Sequence, residues 1–382
     1  MPIKVMLVFG TRPEAIKMAP LYKALKNNSN IDTKICVTAQ HREMLDQVMH
    51  IFNLVPDYDL DIMEKGQTLA KITSKALEGL CDVFAKEKPD LVLVHGDTTT
   101  TFVASLAAFY NQIKVGHIEA GLRTYDKYAP YPEEMNRKLT TALADMYFAP
   151  TQNNKLNLVK ENIDELKIYI TGNTAVDAMK YTVNKEYNLN NEILNDIDFV
   201  NKRIILVTAH RRENLGKPLE NICEAINVIV NSNDNVECVY PVHLNPIVQD
   251  TARRILGNNP KVHLIDPLDA MTFQNVMDRS YMVMSDSGGV QEEAPSVGKP
   301  VLVLRGETER PEAIKTGTLK LAGTDKENII KLANELLNDR HEYERMSKAK
   351  NPYGDGNACE RIVNAILYEF NINTYKPHEF NI

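Results

Sequence analysis

Three acidic side chains stand where elements meet in the first half of the chain. They are Asp97 in His95-Gly96-Asp97-Thr98-Thr99-Thr100-Thr101, Glu119 in His117-Ile118-Glu119-Ala120-Gly121-Leu122-Arg123, and one of the neighbouring Glu133 and Glu134 in Tyr131-Pro132-Glu133-Glu134-Met135-Asn136-Arg137. Carboxylates gathered at successive strand ends suit general acid and base chemistry, because neighbouring like charges spread their pKa values. Each also has a plainer reading. Asp97 suits the cap of the next helix with a Thr beside it, and Glu134 suits a solvated helix position.

A second set of residues suits an anion. Gly10-Thr11-Arg12-Pro13-Glu14 with Lys17 follows the first apolar run, where Gly10 permits a tight turn and two cations lie beside free backbone N–H groups. The alternative is a strand-to-helix turn with solvated basic groups. In the second half, Thr208-Ala209-His210-Arg211-Arg212-Glu213-Asn214 sets a His between a strand end and two Arg. Asp286-Ser287-Gly288-Gly289-Val290-Gln291-Glu292-Glu293-Ala294 offers backbone donors at a helix start, a diphosphate cradle, with Glu293 placed to accept from ribose hydroxyls. A Gly-rich turn with surface carboxylates is the rival reading. The hexapeptide from Arg12 to Lys17 recurs from Arg310 to Lys315. It marks either shared helix-start chemistry or two Arg-bearing phosphate sites. No Gly-x-Gly-x-x-Gly and no Walker-type loop is present, so nicotinamide chemistry lacks support.

These residues need a scaffold that delivers strand ends to one edge. Val5–Phe9, Lys34–Val37, Leu91–Val94, Val115–His117 and Tyr147–Ala149 read as strands, and Glu14–Lys26, Leu69–Lys86 and Thr100–Tyr110 as helices between them. Near-continuous apolar strands alternating with helices predict a parallel sheet covered on both faces, with ligands at the carboxyl ends of its strands. The pattern restarts after Thr171-Gly172-Asn173-Thr174, with Ile204–Val207, Val236–Tyr240, Val262–Ile265, Tyr281–Met284 and Val301–Leu304 as strands. The boundary is placed near Gly172: one domain over 1–172, a second over 173–359, and a helix over Glu360–Phe370 within a tail, 360–382, that folds back on the first.

At 382 residues the chain suits two domains, and its 43% hydrophobic and 25% charged composition is that of a globular protein. The net charge of −7 gives no basic footprint for nucleic acid. The five scattered cysteines form no Cys-x-x-Cys pair and read as reduced cytoplasmic thiols. No close His pair suggests a resident metal. The apolar start, Met1 to Phe9, is too short for a signal peptide or a membrane span and reads as a buried strand.

Taken together and in order, Gly10–Lys17, His95–Thr100, His117–Thr124, Tyr131–Arg137, Thr208–Gly216, Asp286–Ala294, Thr308–Ala313 and Asn351–Gly356 resemble the non-hydrolysing UDP-N-acetylglucosamine 2-epimerases over nearly the whole chain. The resemblance implies the GT-B architecture, α/β with two Rossmann-like doubly wound domains and a cleft between them. It implies a cytoplasmic homodimer that interconverts UDP-N-acetylglucosamine and UDP-N-acetylmannosamine for polysaccharide synthesis, with no cofactor, metal, membrane or nucleic acid. Asp97, Glu119 and Glu133 would then be the acid/base carboxylates, with His210 beside the diphosphate. Arg12, Lys17, Arg137, Ser287, Gly288, Gly289 and Arg310 would bind substrate, Glu293 the ribose, and Phe273 with the Leu268 backbone the uracil. Some relatives are activated by UDP-N-acetylglucosamine at a second site, whose region Gln40, His41, Arg211, Arg212 and His243 match. Glu43 and Gly66 replace a Gln and an Arg there, so weak or absent activation is expected, since both changes disfavour an anion. Rival readings are a hydrolysing 2-epimerase, a GT-B glycosyltransferase and a silent nucleotide-sugar sensor.

Overall fold

In the computed structural model, residues 2–381 are described except 41, 65, 190 and 309, and Met44 by its backbone alone. The expected role of His41 therefore lies outside the described residues. The chain divides into two units, Met1–Tyr181 with Tyr353–Asn381, and Thr182–Pro352.

The first unit holds β1 (Ile3–Phe9), β2 (Ile31–Val37), β3 (Tyr58–Asp59), β4 (Leu91–His95), β5 (Lys114–Ile118), β6 (Met146–Ala149) and β7 (Ile168–Ile170). Their order across the sheet is β3-β2-β1-β4-β5-β6-β7, with every described pairing parallel. This is a doubly wound sheet whose strand order reverses between β1 and β4. The central position explains the unbroken apolar run of β1: Val5 to Phe9 are each at most 1% exposed because helices cover both faces. β3 and β7 had no clear signal, being only two and three residues long.

The second unit repeats the plan with β8 (Arg203–Thr208), β9 (Val236–Pro241), β10 (Val262–Ile265), β11 (Met282–Ser285), β12 (Val301–Val303) and β13 (Leu319–Leu321). Its order is β10-β9-β8-β11-β12-β13, all parallel, and it reverses between β8 and β11. Its own core gathers Ile205 and Val207, Ile222 and Ile226, and Leu336.

The first unit runs past Gly172 to include most of the helix Thr174–Thr182, and it resumes at Tyr353 rather than 360. Asp177 on that helix accepts from the backbone N–H groups of Ala358 (3.1 Å) and Cys359 (2.8 Å), opening the last helix, Ala358–Glu369. That helix buries Ile362, Val363, Ile366 and Leu367 in the core that contains β1 and the helix Arg12–Lys26. No helix among the described residues is long and apolar enough to cross a membrane.

Candidate functional site

In the first unit the residues of interest cluster at the carboxyl ends of β1, β4 and β5, across the reversal in strand order. Chain direction puts them there: in a parallel sheet every strand's carboxyl end faces one edge. Gly10 follows β1, and a Cβ on it would lie 2.0 Å from Thr38 Oγ1 and 2.6 Å from Thr100 Oγ1, so only glycine fits this turn. The next loop is tied to it by Glu14, which is 2% exposed. Its carboxylate accepts from the Gly10 (3.0 Å) and Thr11 (2.8 Å) N–H groups and from the Thr98 hydroxyl (2.7 Å). Burial raises the Glu14 pKa against the opposing pull of the Thr98, Gly10 and Thr11 hydrogen bonds.

Thr98, not Asp97, caps the helix Thr99–Tyr110, its side chain accepting from the Thr101 N–H at 3.1 Å. The Asp97 carboxylate is turned to Arg137, which donates through Nε (3.0 Å) and Nη2 (2.6 Å), while the Asp97 carbonyl accepts from Asn136 Nδ2 (2.9 Å). Arg137 also reaches Glu134 at 3.1 Å. Glu134 is fully buried rather than solvated: it accepts from the Thr124 (3.1 Å) and Tyr125 (3.0 Å) N–H groups and so closes the loop between them and the helix Glu133–Leu143. Glu133, first in that helix, has a buried Oε2 with no hydrogen-bond partner among the described residues.

Glu119 follows β5 in the left-handed region, φ 62°. Its Oε2 accepts from Lys17 Nζ and from Asn173 Nδ2 (2.8 Å), and His95 Nε2 lies 3.7 Å away. Burial alone would raise the Glu119 pKa. The Lys17 charge first, then His95 and the Lys17 and Asn173 hydrogen bonds, outweigh it and hold the carboxyl well below its usual range. Burial depresses His95 to about 3 and His117 to about 4, so both stay neutral at pH 7. His117 Nε2 meets the Gly96 carbonyl at 2.8 Å. Asp97 with Arg137, and Glu119 with Lys17, thus form two ion-paired groups after neighbouring strands of this unit, while Arg12, at the start of the same helix as Lys17, is half-buried.

In the second unit the corresponding reversal, between β8 and β11, is bridged by Asp286. Its Oδ2 accepts from the His210 and Arg211 N–H groups (2.8 Å each) and from Asn214 Nδ2 (3.0 Å). Its buried Oδ1 has no hydrogen-bond partner among the described residues and lies 3.7 Å from His210 Nδ1. Burial lowers the His210 pKa against the pull of Asp286. The His210 ring stacks on His243, centroids 5.1 Å apart, so a residue assigned to the diphosphate and one assigned to a second site touch.

Ser287 precedes the helix Gly288–Glu293. A Cβ on Gly288 would come within 2.5 Å of Arg310 Nη1, so the guanidinium lies over this turn, held by Glu292 through Nε (2.7 Å). Gly289 faces open space and Glu293 is half-buried. Both copies of the repeated hexapeptide open helices, Arg12–Lys26 and Pro311–Thr316, but Arg12 is the first helical residue and Arg310 the cap. Phe273, on the helix Ala270–Arg279, and Leu268, in the loop before it, are half-buried. Of the second-site residues, Gln40 accepts from Thr100 Oγ1 at 3.3 Å, Arg211 buries an Nε without a partner among the described residues, and Arg212 and His243 are exposed.

Sequence reasoning passed over Glu14, Glu134, Asn173 and the bridging role of Asp286. Glu14 and Glu134 looked like ordinary first-turn acids, and Asn173 like part of a boundary. Only contacts from distant segments distinguish them.

A family model described as UDP-N-acetylglucosamine 2-epimerase matches residues 23–367. The UDP-N-acetylglucosamine 2-epimerase of Bacillus subtilis (strain 168) is 56% identical over 378 residues, covering 99% of this chain and 98% of that one. Among solved structures, the S. aureus MnaA–UDP co-structure is 52% identical with a TM-score of 0.87, covering 99% of this chain and 100% of that one. The UDP-GlcNAc 2-epimerase from Neisseria meningitidis bound to UDP-GlcNAc is 49% identical with a TM-score of 0.85, covering 96% and 100%. The two doubly wound units are those of the GT-B class.

Proposed function

The chain belongs to the UDP-N-acetylglucosamine 2-epimerase family, and from that premise we propose that it interconverts UDP-N-acetylglucosamine and UDP-N-acetylmannosamine without releasing free sugar. The C2 hydrogen of an N-acetylhexosamine has no adjacent carbonyl to acidify it. As the C1–O bond to UDP lengthens, positive charge develops at C1 and the C2 proton becomes removable. A carboxylate takes that proton, the electrons of the C–H bond form C1=C2, and UDP departs with the C1–O pair. The resulting 2-acetamidoglucal is attacked at C1 by UDP while a proton is delivered to the other face of C2.

The roles divide between the units. In the first, Asp97, Glu119 and Glu133 handle protons, with Lys17 setting the charge of Glu119 and Arg137 the charge and direction of Asp97. In the second, His210, the Ser287-Gly288-Gly289 turn and Arg310 hold the diphosphate, Glu293 the ribose, and Phe273 with the Leu268 backbone the uracil. Arg12 adds a cation for the diphosphate. The observation that carries this reading is the pair of carboxylates, Asp97 and Glu119, each fastened by cations at the strand ends of one unit. Preorganised charge of this kind serves a reaction in which charge develops and disappears. Support for the ligand comes from the relatives solved with UDP and UDP-GlcNAc.

The test is incubation of the protein with UDP-N-acetylglucosamine in deuterated water, following C2 by NMR. The expected product is the nucleotide-bound epimer carrying deuterium at C2. Free N-acetylmannosamine with UDP would replace this reading by hydrolysis. Asp97→Asn and Glu119→Gln are each expected to lower turnover ~100-fold or more with UDP affinity largely kept. Near-normal turnover in both would remove these carboxylates from the mechanism.

A further inference from the structure

We propose that Asn173 is the positioning residue of Glu119: its side-chain amide fixes which carboxylate oxygen is spent on the protein and which is turned to substrate. The inference rests on the reading of Glu119 as a group that acts in the reaction.

Glu119 occupies a backbone conformation that costs a non-glycine residue energy, and such strain persists only where neighbours over-determine it. The peptides around it are pinned: Gly96 N–H donates to the Ile118 carbonyl (2.9 Å) and Ala120 N–H to the Phe148 carbonyl (3.1 Å). The side chain is pinned unequally. Both Lys17 Nζ and Asn173 Nδ2 donate to Oε2, and His95 Nε2 is nearest that same oxygen. Oε1 accepts no hydrogen bond among the described residues and passes the bare face of Gly96, whose absent Cβ would lie 3.8 Å away. The Glu119 side chain keeps 14% of its surface exposed.

Lys17 supplies charge, but an ammonium on a four-carbon stem does not specify direction well. Asn173 does. It is 3% exposed, and its backbone N–H donates to the Tyr353 carbonyl at 2.6 Å. Its Oδ1 accepts from the Ala175 N–H at 3.0 Å, which opens the helix Thr174–Thr182. With Oδ1 committed there, the amide can present only its N–H₂ to Glu119, so its orientation is decided by the network. The anchor at Tyr353 sits just beyond Pro352, where the chain re-enters this unit.

The test uses Asn173→Asp and Asn173→Ala in the full chain, each alone and combined with Glu119→Gln. Asn173→Asp keeps the acceptor for Ala175 and so preserves the local fold, while setting a second carboxylate against Glu119. The groups facing Glu119 that also shape its titration are Lys17 and His95, with His117 beyond them. Expected are a fall in kcat of ~10–100-fold for Asn173→Ala and more for Asn173→Asp, with KM and UDP affinity within about threefold. Loss of a donor to the ionised carboxyl moves the kinetic limb governed by Glu119 to higher pH. In the Glu119→Gln background, Asn173→Ala is expected to cost nothing further, whereas a merely structural role would cost the same in both backgrounds. If residual turnover of Glu119→Gln falls below detection, the pH profile of Asn173→Ala decides. Wild-type kcat in Asn173→Asp, equal losses in both backgrounds, or an unmoved pH limb would each overturn the inference. Full turnover in Glu119→Gln would instead sink the reading of Glu119 itself.

Discussion

At the scale of single residues, the first unit buries ionisable groups and so displaces their titration from its course in water. His95 and His117 are 3% and 0% exposed and held neutral by burial, with pKa values near 3 and 4 against an ordinary 6.5. A histidine depressed on folding binds its proton more readily in the unfolded chain. Its stabilising effect is complete above pH 6.5 and is lost as pH falls toward the folded value. Each such group costs up to about 1.4 kcal/mol per pH unit in that window. Glu119, held below its usual range by Lys17 against its own burial, adds to the loss only as pH falls below the ordinary carboxylate value of 4.5, whereas Glu14, raised by burial, regains stability above that value and offsets part of the histidine loss. The unfolding midpoint is therefore expected to fall between pH 6.5 and 5, and His117→Gln, which keeps a donor for the Gly96 carbonyl, to flatten the slope. Thermal melts at constant ionic strength check this; a level midpoint across the window contradicts it.

At the scale of elements, both sheets solve one problem the same way. Where strand order reverses, two loops diverge and leave backbone N–H groups without ladder partners, and a buried carboxylate gathers them. Glu14 does so in the first unit and Asp286 in the second. Two glycines at such edges differ in what confines them, and that difference predicts opposite phenotypes. Gly121 has φ 88° and an added Cβ would lie 2.2 Å from the Asn154 backbone carbonyl, which has no freedom to move. Gly121→Ala is expected to cost about 3 kcal/mol or more, and the melting midpoint to drop by roughly 10 °C. At Gly288 the obstacle is the tip of the Arg310 side chain. Gly288→Ala should displace that guanidinium with a midpoint change of about 2 °C or less, while UDP affinity, on the role proposed for Arg310 at the diphosphate, falls ~10-fold or more. Calorimetric titration with UDP beside thermal melts separates the two cases; equal behaviour of the two variants would refute the distinction.

At the scale of the whole molecule, the first unit is built from two stretches of chain. The helix Ala358–Glu369 lays Ile362, Val363, Ile366 and Leu367 against the core of β1 and the helix Arg12–Lys26. Four such side chains returned to water forfeit about 6–12 kcal/mol, comparable with the total stability of a domain. A chain ending at Pro352 is thus expected to lose the cooperative transition of the first unit and to expose apolar surface, seen as dye binding and aggregation. A soluble truncated protein that retains both transitions would show that the last helix is dispensable.

Much of this architecture was legible without coordinates. Apolar runs of three to five residues alternating with amphipathic stretches admit little besides parallel α/β sheets, because only strands covered on both faces need to be apolar throughout. Direction then carries the motifs after them to one edge, which is why Asp97, Glu119, His210 and Ser287 could be singled out by position alone. Short edge strands such as β3 and β13 carried too little pattern to read. What the chain's order of residues could not convey is which side chain meets which across long separations. Asp97 looked like a cap until Arg137, forty residues on, turned its carboxylate; Glu134 looked solvated until Thr124 and Tyr125 donated to it. Asn173, fifty-four residues from Glu119, is aimed by a carbonyl from Tyr353. Patterning follows from each residue's own affinity for water and is local, whereas the partner of a buried polar group is settled only when the folded chain has closed.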